Sequence, residues 1–552
     1  MTTPFALSSR YIDDLLELDP LFATSLGVRE HAGEWGDTGL SGAAAKADLA
    51  ARYRADLQRH LDHPDSRERL AAHVLVAELG ELVEEFEHGD HLTDLSHMAS
   101  SFHWYTRVFD LMPKDTVSDW SPIVMRLATI DRAYSGLQER LEAGRAAGHV
   151  VARRQVESVV AQAKRLSAAG GALDLLLRDA PPEVQDTALD AVMKARAAIQ
   201  QFGQWLERTY GPDAKHEDAA GEPRYRRRAS RFVGIEVEPL EAYEWGWGEF
   251  HRLVAEMERV ATDIVPEGGL LAATELLERD PSRAAPSRDS FLEFIEARQE
   301  LALAELDGSH FDVAPPLRTI TVNLAPPGSP LGAYYLRPSE DFSRPGGIWY
   351  SVGDQEVFPL YHHVSTAYHE GFPGHHLQVG TAMANADRIS RAHRLAVWYP
   401  GYGEGWALYS ELLMQELGYF EIPDFHFGML AKHLYRATRI VIDVGLHLGL
   451  TIPEHAPVGA GEPWSFDLAT QYLRRFGFRT PDQSVAETLR YLGWPGQAIA
   501  YKLGEREILS LRREARTSLG DQFDLKQFHD RVIGHGAMRF DLLRRIVLHG
   551  SV

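Results

Sequence analysis

The sequence predicts a mainly α-helical protein with a small β-sheet beside the helix that carries its most unusual motif. Two observations support this fold class. Apolar residues recur at three- and four-residue spacing through most of the 552 residues, as they do in amphipathic helices. Residues 313–352 differ, because they combine several prolines with alternating β-forming residues, a pattern typical of strands.

The first half of the chain is predicted to be helical. Pro181 and Pro182, at the beginning of segment 182–210, favour a helix start there. Segment 211–228 is polar, charged and contains glycine and proline, which predicts a surface loop. The predicted helices in this half are 65–87, 121–141, 150–168, 182–210, 239–265 and 288–306.

The second half contains the candidate strands, after which helices return. We divide the chain into 1–312, a mainly helical part that forms one wall of a cleft, and 313–552, which holds the small sheet and the catalytic helices. The two parts are expected to form one continuous body. The predicted strands are 317–324, 332–336 and 347–352, and the helices after them are 358–383, 402–417, 427–448, 483–492, 496–517 and 537–549.

Composition argues against several classes of function. The chain has 79 acidic and 57 basic side chains, so its net charge is −22, which argues against nucleic acid and an anionic membrane as partners. It contains no cysteine, so any transition metal must be held by histidine and carboxylate. No secretory signal or membrane span is apparent, and we therefore expect a cytoplasmic location.

The most informative motif is His369-Glu370-Gly371-Phe372-Pro373-Gly374-His375-His376. It resembles the zinc-hydrolase pattern H-E-x-x-H, in which two histidines lie one helical turn apart. Here the position four residues after His369 is Pro373, which cannot bind a metal and interrupts the helix. The motif therefore predicts a metal-binding helix with a break in it.

A catalytic zinc ion needs three protein ligands and one open position. His369 is the first candidate ligand, and Glu370 is placed to act as the general base that takes a proton from water. His375 and His376 both follow the break, and their spacing from His369 does not choose between them. Glu404, 35 residues further along, is the candidate third ligand (404 − 369 = 35), and Glu411 is a candidate partner for a ligand imidazole.

Several segments resemble the bacterial family called "domain of unknown function 885", which is assigned to the zincin-like (gluzincin) peptidase clan. The family pattern H-E-x-x-P-G-H falls on residues 369–375, and its recurrent second histidine corresponds to His375. The pattern E-G-W-A falls on residues 404–407, and further similar segments are 436–447, 495–498 and 501–504. The resemblance implies a helical gluzincin-like peptidase that binds one Zn²⁺ through His369, His375 and Glu404.

Other residues are candidates for supporting roles. His447 and Tyr501 are candidate donors to a developing oxyanion. Arg439 is a candidate for binding a substrate carboxylate, although Arg439, Asp443 and His447 at four-residue spacing can equally form a structural row.

A segment in the strand region is a candidate for substrate binding. Residues 346–352, including Trp349 and Tyr350, can form an edge strand to which an extended peptide would add. An ordinary sheet strand is the alternative interpretation of the same residues.

The sequence therefore predicts a zinc-dependent hydrolase, and a peptidase that acts on short peptides is the favoured interpretation. Three alternatives remain: a zinc amidohydrolase-like enzyme for a small non-peptide amide, a catalytically inactive peptide-binding relative, and a di-iron helical bundle. The last needs Glu-x-x-His pairs, and residues 369–376 contain none. The sequence leaves the oligomeric state open.

Overall fold

The computed structural model describes residues 2–325, 332–550 and 552, and it confirms a mainly helical fold with small sheets. The chain forms two compact units. The first comprises Met1–Ala219 with Leu489–Trp494, and the second comprises Ala220–Thr488 with Pro495–Val552. The boundary predicted at residues 312 and 313 therefore lies inside the second unit. None of the described helices is long and apolar enough to cross a membrane.

The first unit is built from helices around a core rich in aromatic rings. Phe202 stacks on Tyr134 with ring centroids 4.9 Å apart, and Phe102 and Trp35 lie in the same buried cluster. The helices are α1 Pro4–Leu18, α2 Pro20–Ser25, α3 Leu40–Gln58, α4 Ser66–Glu87, α5 Ser101–Leu111, α6 Val117–Ala128, α7 Ile130–Ala146, α8 Arg153–Ser167, α9 Ala172–Arg178 and α10 Gln185–Trp205.

The second unit contains the candidate motifs. Four of its helices pack closely in pairs, α12 against α19 and α18 against α22. The helices are α11 Glu222–Val233, α12 Pro239–Ile264, α13 Gly269–Arg279, α14 Arg288–Leu306, α15 His363–Glu370, α16 His375–Ala384, α17 Arg391–Ala396, α18 Pro400–Glu416, α19 Pro423–Leu448, α20 Phe466–Phe476, α21 Pro481–Gly493, α22 Ala500–Leu519, α23 Leu525–Ile533 and α24 Phe540–His549. The last residues of α21, from Leu489 onward, belong to the first unit.

The loop predicted at 211–228 is partly wrong, because α11 begins at Glu222. The many charged residues of α11 suggested a loop, but the helix buries Tyr225, Ala229 and Val233 at four-residue spacing. Pro223, in the first turn, is compatible with a helix start because that turn needs no backbone N–H.

Two small sheets occupy the predicted strand region and its flanks. Strands β1 Ala284–Ala285 and β5 Phe358–Pro359 pair antiparallel, while β2 Thr321–Leu324, β3 Gly332–Leu336 and β4 Gly347–Ser351 form a three-stranded sheet in the order β2-β4-β3. The edge-strand interpretation of 346–352 is wrong, since β4 pairs in parallel with β2 and antiparallel with β3. Its apolar residues explain this, because Ile348 and Tyr350 are buried, as is typical of a central strand.

The sheet supports the helix that carries the first half of the motif. Ile348 and Tyr350 from β4 share a buried cluster with Ala367 of α15 and Phe291 of α14. Helix α15 also packs against α18 and α19. His369 is consequently held at the last turn of a short helix that is supported on several sides.

The helix predicted at 358–383 is broken into β5, α15 and α16. The break falls at residues 371–374, where Pro373 has no N–H to continue the helical ladder. Side chains from other helices bond to backbone groups that the break leaves without helical partners. Gln299 accepts from Phe372 N at 2.7 Å, and Trp406 Nε1 donates to Pro373 O at 2.9 Å. Gly374 is required here because a Cβ would lie 2.0 Å from His369 O.

Candidate metal centre

Three side chains from three helices converge on one point in the second unit. His369 of α15, His375 of α16 and Glu404 of α18 each offer a ligand atom, and these atoms lie within 4.8 Å of one another. Glu404 Oε2 is 3.2 Å from His369 Nε2 and 3.5 Å from His375 Nε2. These are the three residues that were predicted as metal ligands from the sequence.

The break between α15 and α16 produces this convergence. On a continuous helix His369 and His375 would be separated by about 9 Å along the axis. After the break their ring centroids are 5.0 Å apart, with the rings nearly perpendicular. Gly405 lets α18 approach α22 closely, because a Cβ there would lie 2.4 Å from the backbone of Gly504.

The structure distinguishes His375 from His376. Both ring nitrogens of His376 are already engaged, Nε2 with Leu317 O at 2.8 Å and Nδ1 with Tyr335 OH at 3.2 Å. His376 is fully buried and supports the loop before β2 and the strand β3. His375 turns its Nε2 toward Glu404, and its buried Nδ1 has no hydrogen-bond partner among the residues that the structure describes.

The protonation of the cluster reflects its burial and its charges. Burial and Arg436 act to lower the pKa of His369, but hydrogen bonds to Glu404 and Glu411 outweigh them and raise it to about 9. Burial acts to raise the pKa of Glu404, yet the two histidines hold it well below its usual range. The pKa of Glu370 is raised, chiefly by burial, although His369 and His375 oppose the change. Glu370 therefore has a greater affinity for a proton than an exposed carboxylate, as a general base requires.

A second layer of side chains fixes His369. Its Nδ1 lies 2.8 Å from Glu411 Oε1, which is the position that the sequence analysis predicts for Glu411. Ser365 Oγ donates a short hydrogen bond to the other oxygen of Glu411. Arg436 Nη1 is 3.7 Å from Glu411 Oε1. A carboxylate on the far nitrogen orients a ligand histidine and selects its tautomer, so this layer leaves Nε2 facing Glu404.

Behind this layer a buried ionic network extends away from the cluster. His433 Nε2 is 3.5 Å from Glu411, and its Nδ1 is 3.4 Å from Glu505. Lys502 Nζ lies 2.7 Å from Glu505 and 2.9 Å from Glu249. The ionic roles of these residues were not predicted from the sequence. The three-residue spacing of Lys502 and Glu505 on α22 is the signal that could have indicated an ion pair.

Tyr501 and Arg439 lie beside this second layer. The guanidinium of Arg436 is 5.8 Å from the ring centroid of Tyr501, and that of Arg439 is 4.7 Å from it. Arg439 donates to Tyr435 OH at 2.7 Å and lies 3.5 Å from Glu487. Tyr501 and Arg439 therefore lie near the residues that surround the candidate metal centre, and their predicted roles in oxyanion and carboxylate binding stay predictions.

His447 lies near the C-terminal end of α19, which also carries Arg436. It follows Arg436 by 11 residues (447 − 436 = 11), or about 16 Å along α19. Its Nδ1 accepts a hydrogen bond from Ala220 N at 3.0 Å, and its ring lies against Tyr225. Tyr225 OH donates to Asp443 at 2.7 Å. We therefore give His447 no part in the proposed chemistry.

Trp349 and Tyr350 alternate across β4. Tyr350 is buried, packs against Phe291 and has a hydroxyl without a hydrogen-bond partner in the described part of the chain. Burial, with a smaller contribution from Glu370, raises its pKa well above the usual value. Trp349 is only partly buried and points to the opposite face of the sheet.

The donor set fits a zinc ion. Zinc–nitrogen and zinc–oxygen bonds of about 2.0–2.1 Å in a tetrahedron place neighbouring donors about 3.3 Å apart. The measured separations from Glu404 are 3.2 and 3.5 Å. Two imidazoles and one carboxylate also leave a fourth position open, and Glu411 supplies the outer carboxylate that is common at such sites.

These observations define a mainly helical protein with a candidate His-His-Glu metal centre. The chain belongs to the DUF885 family, described as bacterial proteins of unknown function, which it matches over residues 20–547. No curated protein matches the chain.

Two solved structures share the fold. A "putative lipoprotein from Colwellia psychrerythraea" is 23% identical with a TM-score of 0.85, and the match covers 99% of this chain and 98% of that one. A "putative lipoprotein of unknown function from Shewanella oneidensis" is 17% identical with a TM-score of 0.75, and the match covers both chains completely. The cytoplasmic location expected for this chain stays a prediction.

Proposed function

We propose that this protein is a zinc-dependent peptidase of the zincin-like, gluzincin type that cleaves short peptides. The single observation that carries the proposal is the convergence of His369, His375 and Glu404, with Glu370 directly after the first of them. Three donors with an open fourth position are characteristic of catalytic zinc, whereas structural zinc sites are closed by a fourth protein ligand.

The residues of the chain divide the chemistry between them. A bound zinc ion would supply Lewis acidity, which polarises the scissile carbonyl and makes water more acidic. Glu370 accepts the proton of the attacking water and transfers it to the leaving amine. Glu411 and Ser365 keep the imidazole of His369 in one orientation during both transfers. Tyr350 shares a buried cluster with Ala367 of α15, which keeps water from that side of the helix that carries Glu370.

The burial of the cluster supports short substrates. Only 4% of the His369 side chain, 10% of that of His375 and 18% of that of Glu404 is exposed. A flexible peptide can reach donors at this depth more readily than a loop of a folded protein can, because the loop brings its own bulk with it.

Replacement of Glu370 by Gln tests the proposal. We expect peptide cleavage to fall by about 10²–10⁴-fold, because the general base is lost, while one zinc ion per chain is retained. Cleavage of a diverse peptide mixture by the zinc-loaded protein would be followed by mass spectrometry, and the metal by elemental analysis.

The matched control is Glu356→Gln, at an exposed glutamate of the same unit. It should leave both cleavage and metal content unchanged. Full activity in Glu370→Gln would exclude this residue as the base, and wild-type protein that binds no zinc would exclude the proposed function as a whole.

A further inference from the structure

Basic side chains form a continuous band beside the candidate metal centre. Lys432, Arg436 and Arg439 follow one another on α19 at spacings of four and three residues, which places them on one face of the helix. Arg479, which follows α20, completes the group. We call these four residues the basic band. Such a concentration of positive charge is unexpected in a chain whose net charge is −22.

The band begins at the metal centre. Arg436 Nη2 is 3.4 Å from His369 Nδ1, and only 12% of the Arg436 side chain is exposed. Tyr501 links the next member, because the guanidinium groups of Arg436 and Arg439 lie 5.8 and 4.7 Å from its ring centroid. These contacts hold both arginines in defined positions close to the candidate ligand.

The band continues through a second tyrosine. The guanidinium groups of Arg439 and Arg479 lie 4.1 and 4.0 Å from the ring centroid of Tyr435. Glu487 accepts from Tyr435 OH at 2.6 Å and lies 3.5 Å from Arg439. Glu487 is therefore a carboxylate neighbour of Arg439 and Tyr435 at this end of the band.

Two cations of the band lack a carboxylate at ion-pair distance. Among the described residues, no acidic side chain lies within 4.0 Å of Lys432 or Arg479, whereas Arg436 Nη1, which makes no hydrogen bond, lies 3.7 Å from Glu411 Oε1. Burial, Arg479 and Arg436 together lower the pKa of Lys432 to about 7, although Glu411 and Glu370 act to raise it. Partly buried cations without counterions are costly, so an anionic ligand would stabilise the band.

We propose that the basic band binds the free C-terminal carboxylate of a peptide, so that the enzyme cleaves close to the carboxyl end of its substrates. This inference rests on the proposed function, which supplies the hydrolysis: water adds across the peptide bond, the C–N bond breaks, the acyl carbon gains the hydroxyl group and the amine gains the proton. Arginine suits the role because its fork matches a carboxylate in two hydrogen bonds.

The closeness of the band to the metal centre limits where cleavage occurs. Arg436 lies beside His369. Lys432 and Arg439 lie within four residues of Arg436 on α19, or about 6 Å along the axis. This corresponds to about two residues of extended peptide. The cleaved bond is therefore expected within about two residues of the carboxyl end, so that one or two residues are released at each turnover.

Four matched peptides test this with the zinc-loaded full-length protein. They are a free acid without acidic side chains, its C-terminal amide, the same amide with one internal glutamate, and the free acid with an acetylated N-terminus. We expect both free acids to be cleaved near the carboxyl end, and amidation to lower kcat/KM by at least about 30-fold. Equal cleavage of acid and amide would overturn the inference, and restoration of cleavage by internal glutamate would assign the band to acidic side chains instead.

Binding to Glu370→Gln protein tests the inference without catalysis. In calorimetric titrations the free acid should bind at least about 30-fold more tightly than the amide. Lys432→Met and Arg479→Gln, each made in this background, should reduce that preference, whereas Arg513→Gln, at an exposed arginine, should retain it. Thermal melting curves would verify that the variants fold.

The two experiments separate this inference from the proposed function. If no peptide is cleaved but the acid still binds preferentially, the zinc chemistry is wrong and the carboxylate site remains. Equal affinity for acid and amide, absence of binding by either, or full preference in both band variants would overturn the carboxylate site.

Discussion

Helix α19 carries a buried histidine in each half, and the two histidines have different surroundings. His433 lies 3.5 Å from Glu411, whose other oxygen contacts His369 of the metal cluster. His447 lies 3.8 Å from Asp443, and its Nδ1 accepts a hydrogen bond from the backbone of Ala220. Both are histidine–carboxylate pairs, and both are almost fully buried.

The difference lies in what the pairs connect. The network of His433 leads to a cluster whose outermost donor, Glu404, has 18% of its side chain exposed. The contacts of His447 include Asp443, the ring of Tyr225 and the backbone of Ala220, which join α19 to α11 and to the segment before it. A histidine beside a carboxylate is therefore ambiguous in sequence, and the partner of its second ring nitrogen decides its role.

The largest expected effect distinguishes the two neighbouring histidines of the motif, His375 and His376. His375→Gln should weaken zinc binding by more than about 100-fold, since even the loss of an outer partner costs about 10–100-fold. His376→Gln should change it by less than about threefold, because His376 bonds to Leu317 and Tyr335. Chelator competition measures both, and equal losses would mean that the structure assigns the second ligand wrongly.

A smaller effect compares the two histidines of α19 directly. His433→Gln should lower zinc affinity by about 10–100-fold, because it disturbs the carboxylate that orients His369. His447→Gln should leave zinc affinity unchanged and lower the free energy of unfolding by about 1–3 kcal/mol, because Ala220 N loses its acceptor. Competition assays and denaturant unfolding provide the two readouts. If His447→Gln weakens zinc binding as much as His433→Gln, the two histidines do not differ in their connection to the metal cluster.

A gradual effect, about tenfold for each pH unit, is expected from the pH dependence of zinc affinity. The pKa of His369 is raised to about 9, so without metal its imidazole carries a proton at neutral pH, and a binding metal must displace that proton. Zinc affinity should therefore rise with pH, by about tenfold per unit up to about pH 9, and level off above it.

Glu411→Gln is the control for this dependence. It removes a carboxylate that raises the pKa of His369, so the rise in affinity should level off at a lower pH than in the wild type. Zinc affinity that stays constant between pH 6 and 8 in the wild type would show that His369 does not exchange a proton for the metal.

Much of the second unit could be predicted from local sequence patterns. Helix α14 has the predicted bounds, and α12 and α19 differ from prediction by only a few residues, because apolar residues recur along each of them at three- and four-residue spacing. His369 and Glu370 could be selected because a glutamate follows a histidine directly before a proline–glycine break. Glu404 came from the second motif, E-G-W-A, and His375 was preferred to His376 only because the resemblance to the family pattern implied it.

Features that depend on contacts distant in sequence could not be predicted. The position of β4 between β2 and β3 follows from strand pairing, and the period of a strand does not reveal its neighbours. Spacing alone left His375 and His376 open, and Leu317, 59 residues before His376, resolves the question by bonding to it. Arg479 likewise joins Arg439 through Tyr435, a contact that no local pattern shows.

Helix α18 supplies both Glu404 and Trp406, and Trp406 donates its indole N–H to Pro373 O in the turn between the two histidines. One helix therefore carries the third donor and also contacts the turn that joins the first two. A movement of α18 would act on Glu404 directly and on that turn through Trp406. Loss of the Trp406 indole would remove this contact and alter the spacing of the donors, although none of the three donors is itself replaced.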